Sequence, residues 1–346
     1  MTRNSTHDIV IIGGGAGGIA TAASLLKRRP LLDIAIVEPQ SEHYYQPGWT
    51  MVGGGVFDAP VTCRPMASVM PERAHWIRRA AASFQPEANR VTLDDGSTIE
   101  YKLLVVAPGI RLAWEQIKGL EEALGRNGVT SNYRYDLAPY TWELVRNLKS
   151  GRAIFSQPPM PIKCAGAPQK AMYLSCDAWA ERGVLDAIDV EFRNAGGVLF
   201  GVEAYVPALM DYVARYGIDL KLQQKLVAVD GEAKTATFET IEGAETVSFD
   251  MLHAVPPQVA PDFLARSPLA QADSGFVEVD KHTLQHPRFA NVFGLGDAAS
   301  TPNAKTAAAA RKQAPIVAVN ALAVLDGRNP STLYDGYGSC PLTVER

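Results

Sequence analysis

Two cysteines of this 346-residue chain stand among neighbours that favour thiol chemistry. Cys164 lies in the segment PIKCAGAPQK, directly after Lys163 and ahead of Lys170. A cysteine near lysines and a helix N-terminus has a lowered pKa, and its thiolate can act as a nucleophile. Cys340 follows a glycine-rich turn in YDGYGSCPL, far from Cys164 along the chain, so only the fold could bring the two thiols together.

The other two cysteines, Cys63 and Cys176, are predicted to be packing residues. Cys176 falls on the apolar face of a predicted helix, near Trp179. Four scattered cysteines are too few for a disulfide scaffold, and a disulfide in the cytosol is more often redox-active than structural. The alternative for Cys164 and Cys340 is that they are packing residues too.

The N-terminal segment DIVIIGGGAGGIATAASLL has the strand–loop–helix pattern of a dinucleotide-binding site. Gly13, Gly15 and Gly18 have the G-x-G-x-x-G spacing after a β-branched run at 9–12. Glu38 ends the next apolar strand, where an acid can accept hydrogen bonds from a ribose. The three glycines permit a tight turn, a close approach of the pyrophosphate and helix–strand packing. The alternative is a glycine-rich turn that binds no ligand.

Two later strand ends indicate that the dinucleotide is FAD. The apolar segment YKLLVVAPG ends in Ala107 and Gly109, and NVFGLGDAAS turns at Gly296 and delivers Asp297. A carboxylate at such a strand end can accept hydrogen bonds from the ribityl hydroxyls of a flavin. Both segments resemble those of the flavoprotein disulfide reductase superfamily.

The order of these motifs predicts an α/β protein with two Rossmann-like domains, the second inserted in the first. The FAD-binding domain would comprise 1–113 and 276–330, and the second domain 114–275. Residues 331–346 would begin a C-terminal segment that carries Cys340.

The second domain is predicted to lack a nicotinamide site. A strand at 153–156 and a helix at 171–183 are present, but the junction between them has no second glycine motif. It contains Pro158, Pro159 and Pro161 instead, and proline has no N–H group to donate to a phosphate.

Composition excludes several classes of function. A net charge of −4 and a pI near 5.9 argue against a nucleic-acid partner. The sequence has neither a run of 18 apolar residues nor a signal-peptide pattern, so we expect no membrane span and a cytoplasmic location. We expect no metal site.

Several long segments resemble one family, the sulfide:quinone oxidoreductases, in the branch that includes the mitochondrial enzymes. These segments are EPQSEHYYQPGWTMVGGG, PIKCAGAPQKAMYL, LHAVPPQVAPDFLARSPLA, VDKHTLQHPRFANVFGLGDAA, AKTAAAARKQAP and YDGYGSCPL. The resemblance implies bound FAD and a redox pair, Cys164 and Cys340, bridged by a disulfide or trisulfide beside the flavin. It implies that hydrosulfide attacks the bridge, leaves a persulfide on Cys340, and frees Cys164 to donate into the flavin C4a position.

The resemblance also implies the partners. Electrons pass from FAD to a membrane quinone, and the sulfur leaves to glutathione, sulfite or cyanide, or grows into polysulfide. The family continues for tens of residues beyond SCPL with a segment of the quinone pocket and amphipathic helices that dock on the membrane. We therefore expect a truncated C-terminal region here, and a protein that is cytoplasmic or peripheral on the inner face of the cytoplasmic membrane. The sequence does not determine whether the protein forms a homo-oligomer.

Three further residues are candidates for the site. Lys170, or Lys163, could stabilise Cys164 as a thiolate. Lys305 could place a positive charge near N1 and C2=O of the flavin, where the reduced ring is anionic; the alternative is a solvated lysine at a helix start. Gln46, in YYQPGW, could line the cofactor; the alternative is a surface turn.

Two other functions share parts of this pattern. A type II NADH:quinone reductase or ferredoxin-reductase relative has the same fold but needs a second glycine motif. A flavoprotein that senses persulfide without turnover would need the cysteines only. A disulfide reductase with a C-x-x-x-x-C pair is excluded, because no such pair follows Gly18.

Overall fold

The computed structural model describes residues 5–346, so the first four residues of the predicted 1–113 segment lie outside it. The chain folds into two units, each with its own core. The first comprises the described residues up to Tyr44, Arg64–Arg111 and Val259–Ser339. The second comprises Tyr45–Cys63, Leu112–Gln258 and Cys340–Arg346, so both candidate redox cysteines belong to the second unit.

Strands and helices alternate along much of the chain. The helices are α1 (Ala16–Arg28), α2 (Trp49–Gly53), α3 (Met66–Val69), α4 (Leu120–Ala123), α5 (Ala138–Asn147), α6 (Ala167–Glu181), α7 (Val206–Arg215), α8 (Asp262–Ala265) and α9 (Ala307–Leu325). The strands are β1 (Ser5–Ile12), β2 (Ile34–Val37), β3 (Glu42–Tyr44), β4 (Cys63–Pro65), β5 (Ala74–Ile77), β6 (Ala81–Gln85), β7 (Arg90–Leu93), β8 (Thr98–Val106), β9 (Arg111–Leu112), β10 (Val129–Thr130), β11 (Gly151–Gln157), β12 (Ile188–Asn194), β13 (Asp219–Leu222), β14 (Lys225–Asp230), β15 (Thr235–Thr240), β16 (Gly243–Ser248), β17 (Met251–His253), β18 (Gln258–Val259) and β19 (Val292–Gly294).

The first unit is built on a seven-stranded sheet. Its order is β5-β2-β1-β8-β7-β6, and β19 pairs with β8. Strands β5, β2, β1, β8 and β19 run parallel. The central strands β2, β1 and β8 each contain a continuous buried apolar run, because both faces of the sheet are covered there. Ile9 and Ile11 of β1 pack with Ala22 of α1 and Ala321 of α9, whereas Val10 contributes to the core on the opposite face.

The second unit has a parallel five-stranded sheet with the order β10-β17-β11-β12-β13, and a separate antiparallel sheet of β14, β15 and β16. Helix α6 is buried on most of its surface, and Met172, Tyr173, Cys176 and Trp179 are all inaccessible to solvent. A helix that is apolar nearly all round belongs inside a core. Helix α6 therefore anchors the loop that carries Cys164.

The predicted α/β fold class with two Rossmann-like units is confirmed, but one predicted boundary was wrong. The helix expected at 171–183 begins at Ala167, so it includes Lys170. Pro168 lies in its first turn, where the missing N–H group would have had no partner within the helix. Between residues 5 and 346, no helix has both the length and the hydrophobicity needed to cross a bilayer.

Candidate active site

The loop between β1 and α1 requires glycine at two of the three predicted positions. Gly13 has φ +101°, and a Cβ there would overlap the carbonyl oxygen of Ala107. A Cβ on Gly18 would overlap the carbonyl oxygen of Gly13. These close approaches let α1 begin directly at the end of β1, which is the geometry that the G-x-G-x-x-G spacing predicts.

Gly15 differs, because the space beside it is open. No atom of residues 5–346 other than its chain neighbours lies within 4 Å of the position that a Cβ would take there. Gly15 is also the N-cap of α1, which has no side-chain cap and no acidic residue in its first turn. The first amide groups of α1 thus carry a partial positive charge without a side-chain acceptor. The open space beside Gly15 and the uncapped amide groups of α1 together fit the pyrophosphate of a dinucleotide.

Glu38 stands at the end of β2 and is fixed by backbone groups. One carboxylate oxygen accepts the N–H of Gly14 at 2.8 Å, and the other accepts the N–H of Gln40 at 2.8 Å. Each oxygen has a second lone pair, so the carboxylate can still accept hydrogen bonds from ribose hydroxyls. The contact with Gly14 was not predicted from the sequence.

The two later strand ends also belong to the first unit. Ala107 is buried after β8, and its N–H donates to Ile12 O at 2.8 Å. Gly109 has φ +81° and Gly296 has φ +69°, both in the left-handed region that favours glycine. Asp297, half-buried, follows Gly296 in a 3-10 turn.

A glutamine that sequence reasoning missed holds this second turn. The Gly296 N–H donates to Oε1 of Gln313 in α9 at 2.8 Å. Gln313 is fully buried, although the segment RKQAP offers no local sign of that role. A polar residue within an apolar helix is the only signal that could have found it.

Lys305 is buried, so the alternative of a solvated lysine at a helix start was wrong. Its Nζ donates to the carbonyl oxygens of Asp297 and Ala299, both at 2.8 Å, and lies 4.0 Å from the ring centroid of Phe276. Burial lowers the pKa of Lys305 to about 8. An ammonium group has three donors, so one remains for a further acceptor.

In the second unit, Cys164 and Cys340 form a disulfide. Their Cα atoms are 5.9 Å apart, a usual separation for a disulfide. Cys164 has φ +53°, a left-handed conformation that residues other than glycine seldom adopt. A Cβ on Gly166 would lie 2.9 Å from Sγ of Cys340. The glycine at this position, two residues after Cys164, therefore leaves room for the partner sulfur.

The two lysines near Cys164 have different surroundings. Lys163 Nζ donates to Oε1 of the exposed Gln46, and it lies 5.7 Å from the ring centroids of both Trp49 and Tyr133. Lys170 is buried in α6, and this burial lowers the pKa of its ammonium group. The roles assigned to these lysines and to Gln46 stay predictions.

The remaining cysteines are outside the bridge. Cys176 is fully buried in α6, and burial raises the pKa of its thiol far above the ordinary value. It is a packing residue, as predicted. Cys63 is half-buried, and its packing role stays a prediction.

A buried histidine was not predicted from the sequence. His253, at the end of β17, is inaccessible to solvent, and its Nε2 accepts the N–H of Asn132 at 2.9 Å. Nδ1 of His253 has no hydrogen-bond partner within residues 5–346. Burial lowers the pKa of His253 to about 4. A proton on Nε2 would also face the Asn132 N–H, so the neutral imidazole is the form that fits.

We expect His253 to make the protein less stable in acid. Its pKa is lower in the folded than in the unfolded chain, so the unfolded chain binds more protons between pH 6.5 and pH 4. The free energy of unfolding should therefore fall by about 1.4 kcal/mol per pH unit as the pH decreases through this window. Urea unfolding of the native protein and of His253→Gln, measured across this pH range, checks the prediction. The glutamine side chain can still accept the hydrogen bond from the Asn132 N–H. Equal pH slopes for the two proteins would contradict it.

The chain resembles known proteins over nearly all of its length. Residues 7–159 match the family described as pyridine nucleotide-disulphide oxidoreductase. The chain is 44% identical over 338 residues to the mitochondrial sulfide:quinone oxidoreductase of Dictyostelium discoideum. The matched region covers 97% of this chain and 75% of that protein. The chain belongs to the sulfide:quinone oxidoreductase family.

Other members agree with this assignment. The mitochondrial sulfide:quinone oxidoreductase of Mus musculus is 38% identical over 346 residues, covering 99% of this chain and 77% of that protein. The crystal structure of the sulfide:quinone oxidoreductase from Aquifex aeolicus shares the fold, with a TM-score of 0.80 and 23% identity over 93% of this chain and 77% of that one. The predicted family, and with it the class of flavoprotein oxidoreductase, is confirmed.

Proposed function

We propose that this protein oxidises hydrogen sulfide through the Cys164–Cys340 pair and passes the electrons, by way of FAD, to a quinone. The disulfide between these two cysteines is the observation that carries the proposal. The names of the relatives, which are sulfide:quinone oxidoreductases, support the substrate and the electron acceptor.

The first unit would be the FAD-binding domain. The open space at Gly15 and the uncapped start of α1 suit the pyrophosphate, and the fixed carboxylate of Glu38 suits a ribose. Asp297 would accept hydrogen bonds from the ribityl chain, and the remaining donor of Lys305 would stabilise negative charge on the reduced ring. Bound FAD would accept two electrons and release them to the quinone, which takes up two protons to become the quinol.

The first step would be thiol–disulfide exchange. Hydrosulfide attacks Sγ of Cys340, a new S–S bond forms, and the Cys164–Cys340 bond breaks. Cys340 then carries a persulfide, and Cys164 leaves as a thiolate. Lys170 or Lys163 would stabilise that thiolate, because a nearby positive charge favours the ionised leaving group.

The second step would restore the bridge. The thiolate of a small acceptor such as glutathione attacks the outer sulfur of the persulfide, takes it away and leaves Cys340 as a thiolate. Sulfite, cyanide or a growing polysulfide would act in the same way. Cys164 and Cys340 would then form their S–S bond again and release two electrons, for which FAD would be the acceptor.

The quinone step would take place at a membrane surface, because quinones with isoprenoid tails reside in the bilayer. We therefore propose a location that gives access to such a surface, either cytoplasmic or peripheral on the inner face of the cytoplasmic membrane.

An anaerobic visible spectrum, titrated with sulfide and separately with NADH, tests the proposal. Loss of the flavin band near ~450 nm on adding sulfide, and its return on adding a soluble quinone, is the expected result. Bleaching by NADH and not by sulfide would replace the proposal with an NADH:quinone reductase. Bleaching by sulfide that no quinone reverses would leave a persulfide-sensing flavoprotein.

A further inference from the structure

The backbone that carries Cys164 is held from the side by two buried residues. The hydroxyl of Tyr133 donates to the carbonyl oxygen of Lys163 at 3.1 Å and lies 3.4 Å from that of Cys164. Oε1 of Gln258 accepts the N–H of Lys163 at 2.8 Å. The backbone N–H and C=O of Lys163, the residue before the cysteine, are thus both hydrogen-bonded to side chains outside the loop.

These ties act on a conformation that does not form by itself. A residue with a Cβ is sterically disfavoured in the left-handed conformation, and Cys164 has φ +53°. Such a conformation persists only where the surroundings hold it. Tyr133 is 5% and Gln258 3% exposed, so water does not compete for their hydrogen bonds with the loop.

The segment that carries Cys340 is held by its own hydrogen bonds, ion pair and packing contacts. The hydroxyl of Tyr216 donates to the carbonyl oxygen of Val344 at 3.0 Å, and Glu345 forms an ion pair with Arg215 at 3.1 Å. Leu342 and Val344 also pack against the hydrophobic core of the second unit. All of these contacts are made by residues that follow Cys340, and none is made by Cys340 itself.

We propose that Tyr133, Gln258 and Tyr216 are positioning residues that keep the two sulfurs within bonding reach after the bridge has opened. They act by raising the effective concentration of one thiol beside the other, as any tether does. The proposal rests on the proposed function, in which the bridge must open and close in every cycle. Without the ties, an opened bridge would let both segments relax, and closure would have to order them again.

The dithiol–disulfide equilibrium of the FAD-bound protein measures this directly. In glutathione buffers, two glutathione molecules reversibly reduce the protein disulfide. The products are two protein thiols and one glutathione disulfide. Differential alkylation, read on the peptides that contain Cys164 and Cys340, gives the ratio of the two forms without any sulfide or quinone. A protein that failed to oxidise sulfide would still yield a value, so the two proposals fail separately.

Three tyrosines of the second unit provide matched variants. Tyr133→Phe and Tyr216→Phe each remove one hydroxyl that donates to a cysteine-bearing segment. Tyr173→Phe removes a hydroxyl that donates to Leu209 O at 3.4 Å, and it is the control. The three residues are 5%, 5% and 0% exposed, so their burial is nearly equal. Gln258→Met is a second variant on the Cys164 side.

We expect Tyr133→Phe, Gln258→Met and Tyr216→Phe each to shift the equilibrium about fivefold toward the dithiol, because the released segment gains conformational freedom that closing the bridge must remove. Tyr173→Phe should leave it unchanged. The proposal is overturned for either segment whose variants stay within twofold of the native protein. It is overturned for both if Tyr173→Phe shifts the equilibrium as far.

Discussion

Replacing Cys164 by serine is expected to abolish the reduction of the flavin by sulfide while FAD stays bound. The change removes the disulfide that hydrosulfide must attack, because serine cannot form an S–S bond with Cys340. It also removes the thiolate that would pass electrons to the flavin. We expect the rate of bleaching to fall at least about a thousandfold, as is usual when a nucleophile is lost. Anaerobic stopped-flow absorbance of the flavin band measures it.

The controls separate chemistry from folding. Cys63→Ser changes a cysteine outside the bridge and should bleach at the native rate. The flavin content of Cys164→Ser should equal that of the native protein, because the cysteine belongs to the second unit and the proposed FAD-binding residues to the first. If Cys164→Ser bleaches as fast as the native protein, the assignment of Cys164 is wrong.

Gly15→Val is expected to remove FAD from a protein that still folds. A valine fits the backbone, because Gly15 has φ −75° and no atom of the described chain beyond its neighbours lies within 4 Å of the new Cβ. Its side chain would instead fill the space that we assign to the pyrophosphate. We expect affinity for FAD to fall at least about a hundredfold, since both the close approach and the hydrogen bonds to α1 are lost.

Titration of the FAD-free protein with FAD, followed by flavin fluorescence, measures this loss. The change at the N-cap of α1 should cost only about 1 kcal/mol of stability, which urea unfolding checks. Gly201→Val is the matched control, because its surroundings are equally open and it lies in the second unit. Native affinity in Gly15→Val would show that no phosphate occupies the space beside α1.

The first glycine loop was predictable because its determinants are local. Gly13, Gly15 and Gly18 lie within six residues. Gly13 and Gly18 permit close contacts between adjacent elements, and Gly15 leaves open space at the start of α1. The strand before them and the helix after them follow from apolar runs of different period. The start of α6 was predicted too late, at Ala171, although proline is tolerated in a first helical turn and Pro168 lies in the first turn of this helix.

The contacts that the site residues make with one another were harder to predict from the sequence. Lys305 was predicted to place a positive charge near the flavin, but the sequence did not indicate that its ammonium group is buried against two carbonyl oxygens and the ring of Phe276. Gln313 gave only the weak signal of a polar residue within a largely apolar helix, and Tyr133 gave none, because a buried tyrosine is ordinary in a core. Their roles follow from which backbone groups the fold leaves beside them.

The sequence by itself determined the α/β class, the glycine loop and the family, because these depend on local periodicity and on long segments of matching residues. It also identified the two cysteines as reactive candidates, but their spacing said nothing of a bond between them. The family resemblance implied this bond, but only the tertiary structure brings Cys164 and Cys340 together, across a sequence separation of 176 residues. It does so because α6 is buried in the core of the second unit and the segment from Cys340 onward packs against that same core. Long-range contacts of this kind depend on the packing of whole elements, which no short stretch of sequence contains.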